Sequence, residues 1–403
     1  MVQTCKKIIL FCTVTITVLF TLPRPGTCSE DFSSWLEGVR QEARAKGISE
    51  VTLHEAFDGL QPIPRVIELD RRQPEFTQTF WRYLDARVTE GRVERGRMLL
   101  ELHAELLAGI EKQYGVQPRF LVAFWGLETN FGDYLGSFSV IGSLATLAHD
   151  PRRSEFFRSE LLAALSIIDG RHISASEMFG SWAGAMGQPQ FMPSTFVRFA
   201  VDADGDRKRD IWHSLPDVFA SAANFLAESG WQGDKTWGRE VRLPPGFNLE
   251  LIGLEVKKTL AAWQILGVRK GNGNNLPRVH MKGSLILPAG HTGPAFLVYN
   301  NYRTTLQWNR SDLYAIAVGH LADRIAGKGP LVATRPASEQ RLSRTQVEKI
   351  QELLRAQDFD PGPVDGVIGS QTRQAIKEFQ RTAKLPADGH PTPELLEILE
   401  KNE

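Results

Sequence analysis

Apolar residues recur at a spacing of three and four along most of the chain, from about Phe32 to Ala326. This is the period of an amphipathic α-helix, so we expect a mainly helical domain over that range. One interruption, between about Val241 and Val298, contains paired prolines, a Gly/Asn loop and short β-prone runs, which predict a small strand-containing insertion. A last helix, from Leu313 to Ile325, closes the domain before Gly327.

The end of the chain has a different organisation. A stretch rich in Gly and Pro, residues 328–341, predicts a linker. Residues 342–403 then carry three apolar faces of helical spacing, with the turn sequence PGPVDGVIGSQT between the first two. We expect Gly366 and Gly369 in that turn to need a positive φ or a close backbone approach. The pattern therefore predicts a first domain at 29–327, a linker at 328–341 and a three-helix module at 342–403.

The first 28 residues predict a secretory signal peptide. Lys6 and Lys7 precede an apolar run, residues 8–22, which Pro and Gly then interrupt. A membrane anchor is the alternative, although the run is shorter than the ~20 residues of a spanning helix. All three cysteines lie in this segment. Lipidation at Cys28 is less favoured than cleavage, because Thr27 and Pro25 stand where lipoprotein signals usually carry a small residue and Leu. We therefore expect a soluble protein exported to the periplasm.

Composition and charge narrow the function classes only a little. Forty-seven basic residues balance 47 acidic ones, so no overall field favours nucleic acid or an anionic membrane. The nine histidines show no HxH or HExxH spacing, which disfavours a metal-dependent amidase or peptidase. Any function must therefore be inferred from local motifs.

The C-terminal module resembles a common peptidoglycan-binding module of three helices. The matching residues are Leu354, Phe359, Gly362, Asp365, Gly366, Gly369, Thr372, Ala375, Ile376, Phe379, Gln380, Leu385, Asp388 and Gly389. Asp358 departs from that pattern, because it stands where Gly is common. The resemblance implies attachment to the cell wall and says nothing about chemistry.

The segment FLVAFWGLETNFGDYLG carries a carboxylate within an apolar helical pattern. Phe124, Trp125 and Glu128 share one stripe of that helix by their spacing. Burial of a carboxylate raises its pKa, as a general acid for glycosidic cleavage requires. We expect Phe131 and Gly132 to provide a bulky apolar group and a gap for substrate beside it. Spacing alone leaves open a second interpretation, in which Glu128 ends a helix and bonds a neighbouring arginine.

Three more segments accompany WGLETNFG (125–132), namely QPEFTQTFWRYL (73–84), GSWAGAMGQPQFMPSTF (180–196) and DADGDRKRDIW (202–212). Together they resemble the membrane-bound lytic transglycosylase B family. The resemblance implies a mainly α (α+β) protein with a lysozyme-like helical catalytic domain. It also implies that Glu128 is the only catalytic carboxylate. Acting first as acid and then as base, it would cleave the β-1,4 bond between N-acetylmuramic acid and N-acetylglucosamine without water, leaving 1,6-anhydromuramoyl ends.

The same resemblance suggests residues that contact the sugar. Ser181 and Gln190 match contacts near the cleavage point, and residues 186–191 would form a Gly-rich wall beside it. Two positions depart from the family, because Phe225 and Trp308 stand where tyrosines are typical; each keeps an aromatic ring and loses the hydroxyl. The substrate-binding residues implied are Tyr83, Ser181, Gln190, Phe191, Phe225, Trp308, Asn309 and Tyr314.

An acidic loop follows the wall and has the spacing of an EF-hand-like calcium site. Arg207 replaces the usual Gly at position 6, and His213 replaces Glu at position 12. A structural calcium ion and an Asp-rich helix-capping loop both remain open, and the chemistry itself needs no cofactor. The candidate ligands are Asp202, Asp204, Asp206, the Lys208 carbonyl, Asp210 and Asp217.

Two other functions compete with the transglycosylase. A hydrolytic muramidase would need a second carboxylate, for which Asp133 and Glu155 are the nearest in sequence. A catalytically silent peptidoglycan-binding scaffold would keep the fold without the chemistry. Expected partners are peptidoglycan glycan strands and cell-wall enzyme complexes, with no nucleic acid, and we expect a monomer.

Overall fold

The computed structural model describes residues 31–72, 78–336 and 339–402. It is mostly helical, with 52% helix and 7% strand, so the predicted mainly α class is confirmed. The helices of the first domain are α1 (Phe32–Ala45), α2 (Glu50–Phe57), α3 (Pro64–Arg72), α4 (Phe80–Arg87), α5 (Glu90–Leu102), α6 (Ala104–Tyr114), α7 (Pro118–Thr129), α8 (Val140–His149), α9 (Ser154–Asp169), α10 (Pro193–Phe199), α11 (Leu215–Glu228), α12 (Leu260–Ile265), α13 (Asn300–Trp308) and α14 (Asp312–Ile325).

Helix α7 lies at the centre of the first domain. Pro118 occupies its first turn, where the missing N–H costs nothing, and Asn130 ends it in a left-handed conformation with φ of 52°. Every residue from Phe120 to Leu127 is buried, against α5, α6, α11 and α14. The predicted apolar stripe is therefore too narrow, because this helix is enclosed on nearly all sides.

Two short strands connect the segment before α8 to the segment after α9. Strand β1 (Phe138–Ser139) pairs antiparallel with β2 (Phe179–Gly180). Gly136 has φ of 101°, and a Cβ there would lie 2.0 Å from the carbonyl oxygen of Gly180. Only glycine fits this approach, which fixes the loop that precedes the Gly-rich wall.

The insertion is a five-stranded antiparallel sheet of β3 (Gly238–Arg242), β4 (Lys258–Thr259), β5 (Arg269–Lys270), β6 (Lys282–Ile286) and β7 (Ala295–Val298). The strands lie in the order β4-β6-β7-β3-β5. Its own apolar core centres on the buried Trp263. The sheet begins three residues before the predicted start and ends at Val298, as expected.

The C-terminal module has three helices around a separate core, namely α15 (Arg344–Ala356), α16 (Ser370–Thr382) and α17 (Pro393–Lys401). Gly366 has φ of 71°, and a Cβ there would clash with Arg344, as expected. The expectation for Gly369 was wrong, because its φ is −83° with open space beside it, and it serves as the N-cap of α16. Asp358 adopts φ of 64°, the conformation that the usual glycine provides at this position.

The predicted linker lies against the first domain. The carboxylate of Glu240 in β3 accepts the backbone N–H groups of Val332 at 2.8 Å and Ala333 at 2.6 Å. Arg335 donates to both oxygens of Asp85, at 2.6 and 2.7 Å. This connection is therefore held at two points rather than free.

The C-terminal module also contacts the insertion. Arg381 makes two hydrogen bonds of 2.9 Å to Glu250, and Lys377 lies 3.6 Å from the same carboxylate. In a second contact, His291 lies 2.8 Å from the carboxylate of Asp388. The boundaries 29–327, 328–341 and 342–403 stay predictions.

Among the residues that the structure describes, no helix has both the length and the apolar character needed to cross a membrane. The predicted signal peptide, residues 1–28, lies outside the described residues.

Candidate active site

Glu128 lies in the last turn of α7, with its side chain half-buried. The indole Nε1 of Trp308 donates a hydrogen bond of 2.8 Å to its Oε1. The hydroxyl of Tyr314 donates a short hydrogen bond to the same oxygen. Trp308 ends α13 and Tyr314 lies in the first turn of α14, so the corner between these helices provides both donors.

Aromatic rings surround the carboxylate. The ring centroid of Trp308 lies 4.6 Å from that of Phe124, 5.0 Å from Phe225 and 5.3 Å from Phe191. These residues come from four separate segments, which the folding of α11, α13 and the wall onto α7 brings together. The site is consequently low in dielectric, and hydrogen bonds to a charged group are strong there.

Burial raises the pKa of Tyr314 well above its usual value, and the charge of Glu128 beside it raises that pKa further. The phenol therefore stays protonated and remains a donor to the carboxylate at any physiological pH. Tyr83 is also buried, and its electrostatic interaction with Tyr314 raises the pKa of Tyr314 further. Of the predicted groove residues, Asn309 is exposed, and its side chain caps the backbone N–H of Ser311 at 3.0 Å.

The Gly-rich wall is built from residues whose polar groups are mostly engaged within it. Ser181 Oγ accepts the backbone N–H of Ala185 at 3.0 Å. Gln190, with φ of 51°, donates from Nε2 to the carbonyls of Leu135 and Gly187, both at 3.0 Å. In this structure the side chains of Ser181 and Gln190 therefore shape the wall, and their contact with sugar stays a prediction.

Gln188 lies within the predicted wall but was not among the predicted substrate-binding residues, and it connects the wall to α7. Its side chain, 8% exposed, accepts from Trp125 Nε1 at 2.7 Å and donates to the carbonyl of Trp212 at 2.8 Å. A Cβ on Gly132 would lie 2.6 Å from Gln188 Oε1. The expectation of a gap for substrate beside Gly132 is therefore wrong, because the side chain of Gln188 fills that space. The signal for it in the sequence is only its position, directly after Gly187 in the Gly-rich segment.

The second carboxylate of a hydrolytic muramidase has weak candidates. Asp133 is held by both terminal nitrogens of Arg95 and by Asn130, and the Arg95 guanidinium lowers its pKa. Glu155 is exposed in the first turn of α9. Asp133 is thus a fixed anion in an ion pair, which is a poor base for activating water.

Two carboxylates of the acidic loop lie close to a third from the first turn of α11. Asp202, Asp204 and Asp217 each offer an oxygen within 4.8 Å of the others. Asp217 is fully buried and accepts the backbone N–H groups of Ala203 and Asp210, both at 2.7 Å, while burial raises its pKa.

The other predicted ligands of that loop are outside this group. Asp206 accepts the backbone N–H of Lys208 at 2.7 Å, and Asp210 accepts the backbone N–H of Trp212 at 2.9 Å. Arg207, at the position where glycine is usual, has φ of 74°. The loop therefore keeps the EF-hand bend without its glycine, and each of its acidic side chains, Asp202 and Asp204 included, accepts at least one backbone N–H.

A family profile described as the transglycosylase SLT domain matches residues 31–323. The chain belongs to this family. A second profile, described as a putative peptidoglycan binding domain, matches residues 343–399. The predicted resemblance is confirmed for both parts of the chain, and the first domain has the lysozyme-like fold of the SLT family.

Relatives of this SLT transglycosylase agree with that assignment. Membrane-bound lytic murein transglycosylase B of Escherichia coli (strain K12) is 31% identical over 252 residues, 61% of this chain and 67% of that protein. The crystal structure of SltB3 from Pseudomonas aeruginosa in complex with NAG-anhNAM-pentapeptide is 48% identical, covers 92% of this chain and 100% of its own, and has a TM-score of 0.89. Escherichia coli Slt35 in complex with calcium is 27% identical over 73% of this chain and 92% of its own, with a TM-score of 0.62.

The chain is therefore a peptidoglycan-cleaving enzyme of the lytic transglycosylase class, and it forms anhydromuramoyl ends. Neither the hydrolytic muramidase nor the silent scaffold is favoured by these relatives. The roles of individual residues are a separate question.

Proposed function

We propose that Glu128 carries both proton transfers of this lytic reaction. It protonates the glycosidic oxygen between N-acetylmuramic acid and N-acetylglucosamine as the bond from that oxygen to C1 breaks. The ionised carboxylate then takes the proton of the muramoyl 6-hydroxyl as its oxygen bonds to C1. The enzyme ends in its starting protonation state, and the product is a 1,6-anhydro sugar.

The convergence of Trp308 and Tyr314 on one oxygen of Glu128, inside an aromatic enclosure, is the observation that carries this proposal. Two donors support the ionised form that acts as base, while the surrounding rings favour the protonated form that acts as acid. A group balanced between these effects is suited to both steps. Because the attacking hydroxyl belongs to the substrate, one carboxylate is sufficient, unlike the pair in ordinary glycosidases.

The test compares Glu128→Gln with Asp133→Asn, a carboxylate-to-amide change at the nearest acidic neighbour in sequence. Purified peptidoglycan is digested and the soluble products are identified by mass spectrometry. We expect 1,6-anhydromuropeptides from wild type and Asp133→Asn, and at least a 10³-fold slower release from Glu128→Gln. Full activity of Glu128→Gln would refute the assignment. Reducing-end muramic acid products that disappear in Asp133→Asn would instead identify a hydrolase.

We propose that peptidoglycan strands lie along Tyr83, Phe191, Phe225 and Asn309, with Ser181 and Gln190 at the wall. The tail module adds a second binding site for the same polymer. Removal of residues 342–403 should weaken sedimentation with insoluble peptidoglycan more than it slows cleavage of short soluble fragments. Equal losses in both assays would contradict separate roles. We also propose a monomer, which light scattering tests.

We propose that the acidic loop binds a structural calcium ion through Asp202, Asp204 and Asp217. Three close carboxylates repel one another, and burial of Asp217 makes a cation more favourable there. A relative binds calcium, as the Escherichia coli structure is described. Calcium should raise the melting temperature of wild type, and the increase should disappear in Asp204→Asn. Equal melting temperatures in calcium and chelator would leave the loop as a helix cap only.

We propose export to the periplasm through residues 1–28. Cell fractionation should place the mature protein in the soluble periplasmic fraction, with the same distribution for Cys28→Ser. Recovery of wild type in the membrane fraction, and of Cys28→Ser in the soluble one, would show lipid anchoring instead.

A further inference from the structure

Trp308 differs from the other donor to Glu128 in what its side chain can do. The indole Nε1 can only donate, whereas a tyrosine hydroxyl can rotate and either donate or accept. The bond from Trp308 spans 180 positions of sequence and measures 2.8 Å. An oxygen that faces an indole N–H must therefore accept, whatever the protonation state of the carboxyl group.

The aromatic contacts of Trp308 fix the direction of that N–H. Phe124 comes from the same helix as Glu128, Phe191 from the wall and Phe225 from α11, and all three rings lie within 5.3 Å of the indole, centroid to centroid. These rings limit both side-chain torsions of the tryptophan. The indole consequently holds its donor in place before substrate arrives.

We infer that Trp308 is a positioning residue that keeps Oε1 of Glu128 as a hydrogen-bond acceptor throughout the reaction. The proton that is delivered and recovered is then carried on Oε2. In a protonated carboxyl group the hydroxyl oxygen accepts more weakly than the carbonyl oxygen, because its lone pair is delocalised into the carbonyl. A proton on Oε1 would therefore weaken the indole bond, whereas one on Oε2 keeps it. This inference rests on the proposed acid and base role of Glu128, and it assigns to Trp308 a part other than sugar stacking.

The consequence for ionisation has a definite sign. An N–H bond to a charged oxygen is stronger than one to a neutral carbonyl, so the indole favours the carboxylate form. Loss of the N–H should therefore let Glu128 keep its proton to higher pH. The alkaline limb of the activity profile, where the acid form is lost, should move upward.

The experiment uses Trp308→Phe in the full-length protein, which removes the N–H and keeps an aromatic ring. Trp263→Phe is the matched control, because it removes a buried indole donor, bonded to the Gly283 carbonyl at 2.9 Å, in the insertion core. We expect Trp308→Phe to lower kcat on purified peptidoglycan about 10- to 100-fold and to move its alkaline limb up by about one pH unit. The control should keep the wild-type limb.

A direct titration covers the case in which Trp308→Phe is too slow to assay. The carboxyl carbons of glutamate are labelled with ¹³C, and the Glu128 signal is assigned by its loss in Glu128→Gln. The midpoint of that signal should be higher in Trp308→Phe than in wild type and in Trp263→Phe. An unmoved midpoint, or slower turnover with an unmoved limb, would reduce Trp308 to a packing role and overturn the inference. Failure of the proposed function is distinct, because it would appear as an active Glu128→Gln.

Discussion

Gln188 offers a quantitative test of how the wall is attached to the catalytic helix. Replacement by leucine keeps a side chain of similar size and removes both side-chain hydrogen bonds. The partners, Trp125 Nε1 and the Trp212 carbonyl, belong to residues only 6% and 3% exposed, so water cannot readily replace the lost amide. The change thus leaves one donor and one acceptor buried without their present partner.

The magnitude follows from the cost of an orphaned group. Each buried donor or acceptor without a partner costs about 1–3 kcal/mol, so two cost about 2–6 kcal/mol. Burial of leucine in place of an amide offsets part of this free-energy cost, because the transfer of an aliphatic side chain out of water is favourable. We expect the free energy of unfolding of Gln188→Leu to fall by about 2–5 kcal/mol.

Urea denaturation followed by tryptophan fluorescence measures this difference directly. Gln307→Leu is the matched control, because its exposed amide makes one bond, of 3.1 Å, to the Ser229 carbonyl. That variant should change the free energy of unfolding by less than about 1 kcal/mol. If the two variants prove equally stable, the reasoning that Gln188 ties the wall to α7 is refuted.

Three shorter predictions follow from single features. Gly136→Ala should fail to fold stably, since its Cβ would meet backbone at 2.0 Å, whereas Gly109→Ala, with open space, should be neutral or stabilising in the same thermal melts. Burial lowers the pKa of His320 from 6.5 to about 4, so the unfolded chain binds a proton that the folded one refuses. The free energy of unfolding should therefore fall as pH drops from about 6.5 to about 4, and urea melts of His320→Gln should show a shallower decline. Glu250→Gln removes a half-exposed ionic partner of Arg381. The melting temperatures of variant and wild type should therefore differ little, at low and at high salt alike. A fall of more than about 1 kcal/mol in the free energy of unfolding would contradict this.

The sequence predicts the helical class well because that class depends on local spacing. Spacing alone leaves the role of Glu128 open, and the family resemblance suggests it. The last helix of the first domain begins one residue before the predicted start and ends at Ile325, as predicted. The insertion is also identified, because prolines and β-prone runs interrupt the helical period. These features are set by neighbours along the chain.

The immediate partners of Glu128 depend on contacts that spacing cannot give. Trp308 and Tyr314 match groove positions by resemblance, but their convergence on Oε1 joins residues 180 and 186 positions apart. The contact of Gln188 with α7 and the filled space beside Gly132 were missed for the same reason. Gly369 was misassigned because a glycine at a helix N-cap and a glycine at a positive φ are written with the same letter.

The connection between the two domains is held against the first domain, and this affects how strongly the two domains together bind one polymer. When a long flexible linker joins two binding sites, the second site meets the polymer at a local concentration set by linker length. Here Glu240 and Arg335 hold the connection to the first domain, so linker length has little influence. Under the proposal that both domains bind peptidoglycan, we expect strands that span the two sites at this fixed separation to gain the full benefit of double attachment, and other strands to gain almost none. We therefore expect Glu240 to influence which strands the enzyme retains, although it is not among the residues proposed to cleave them.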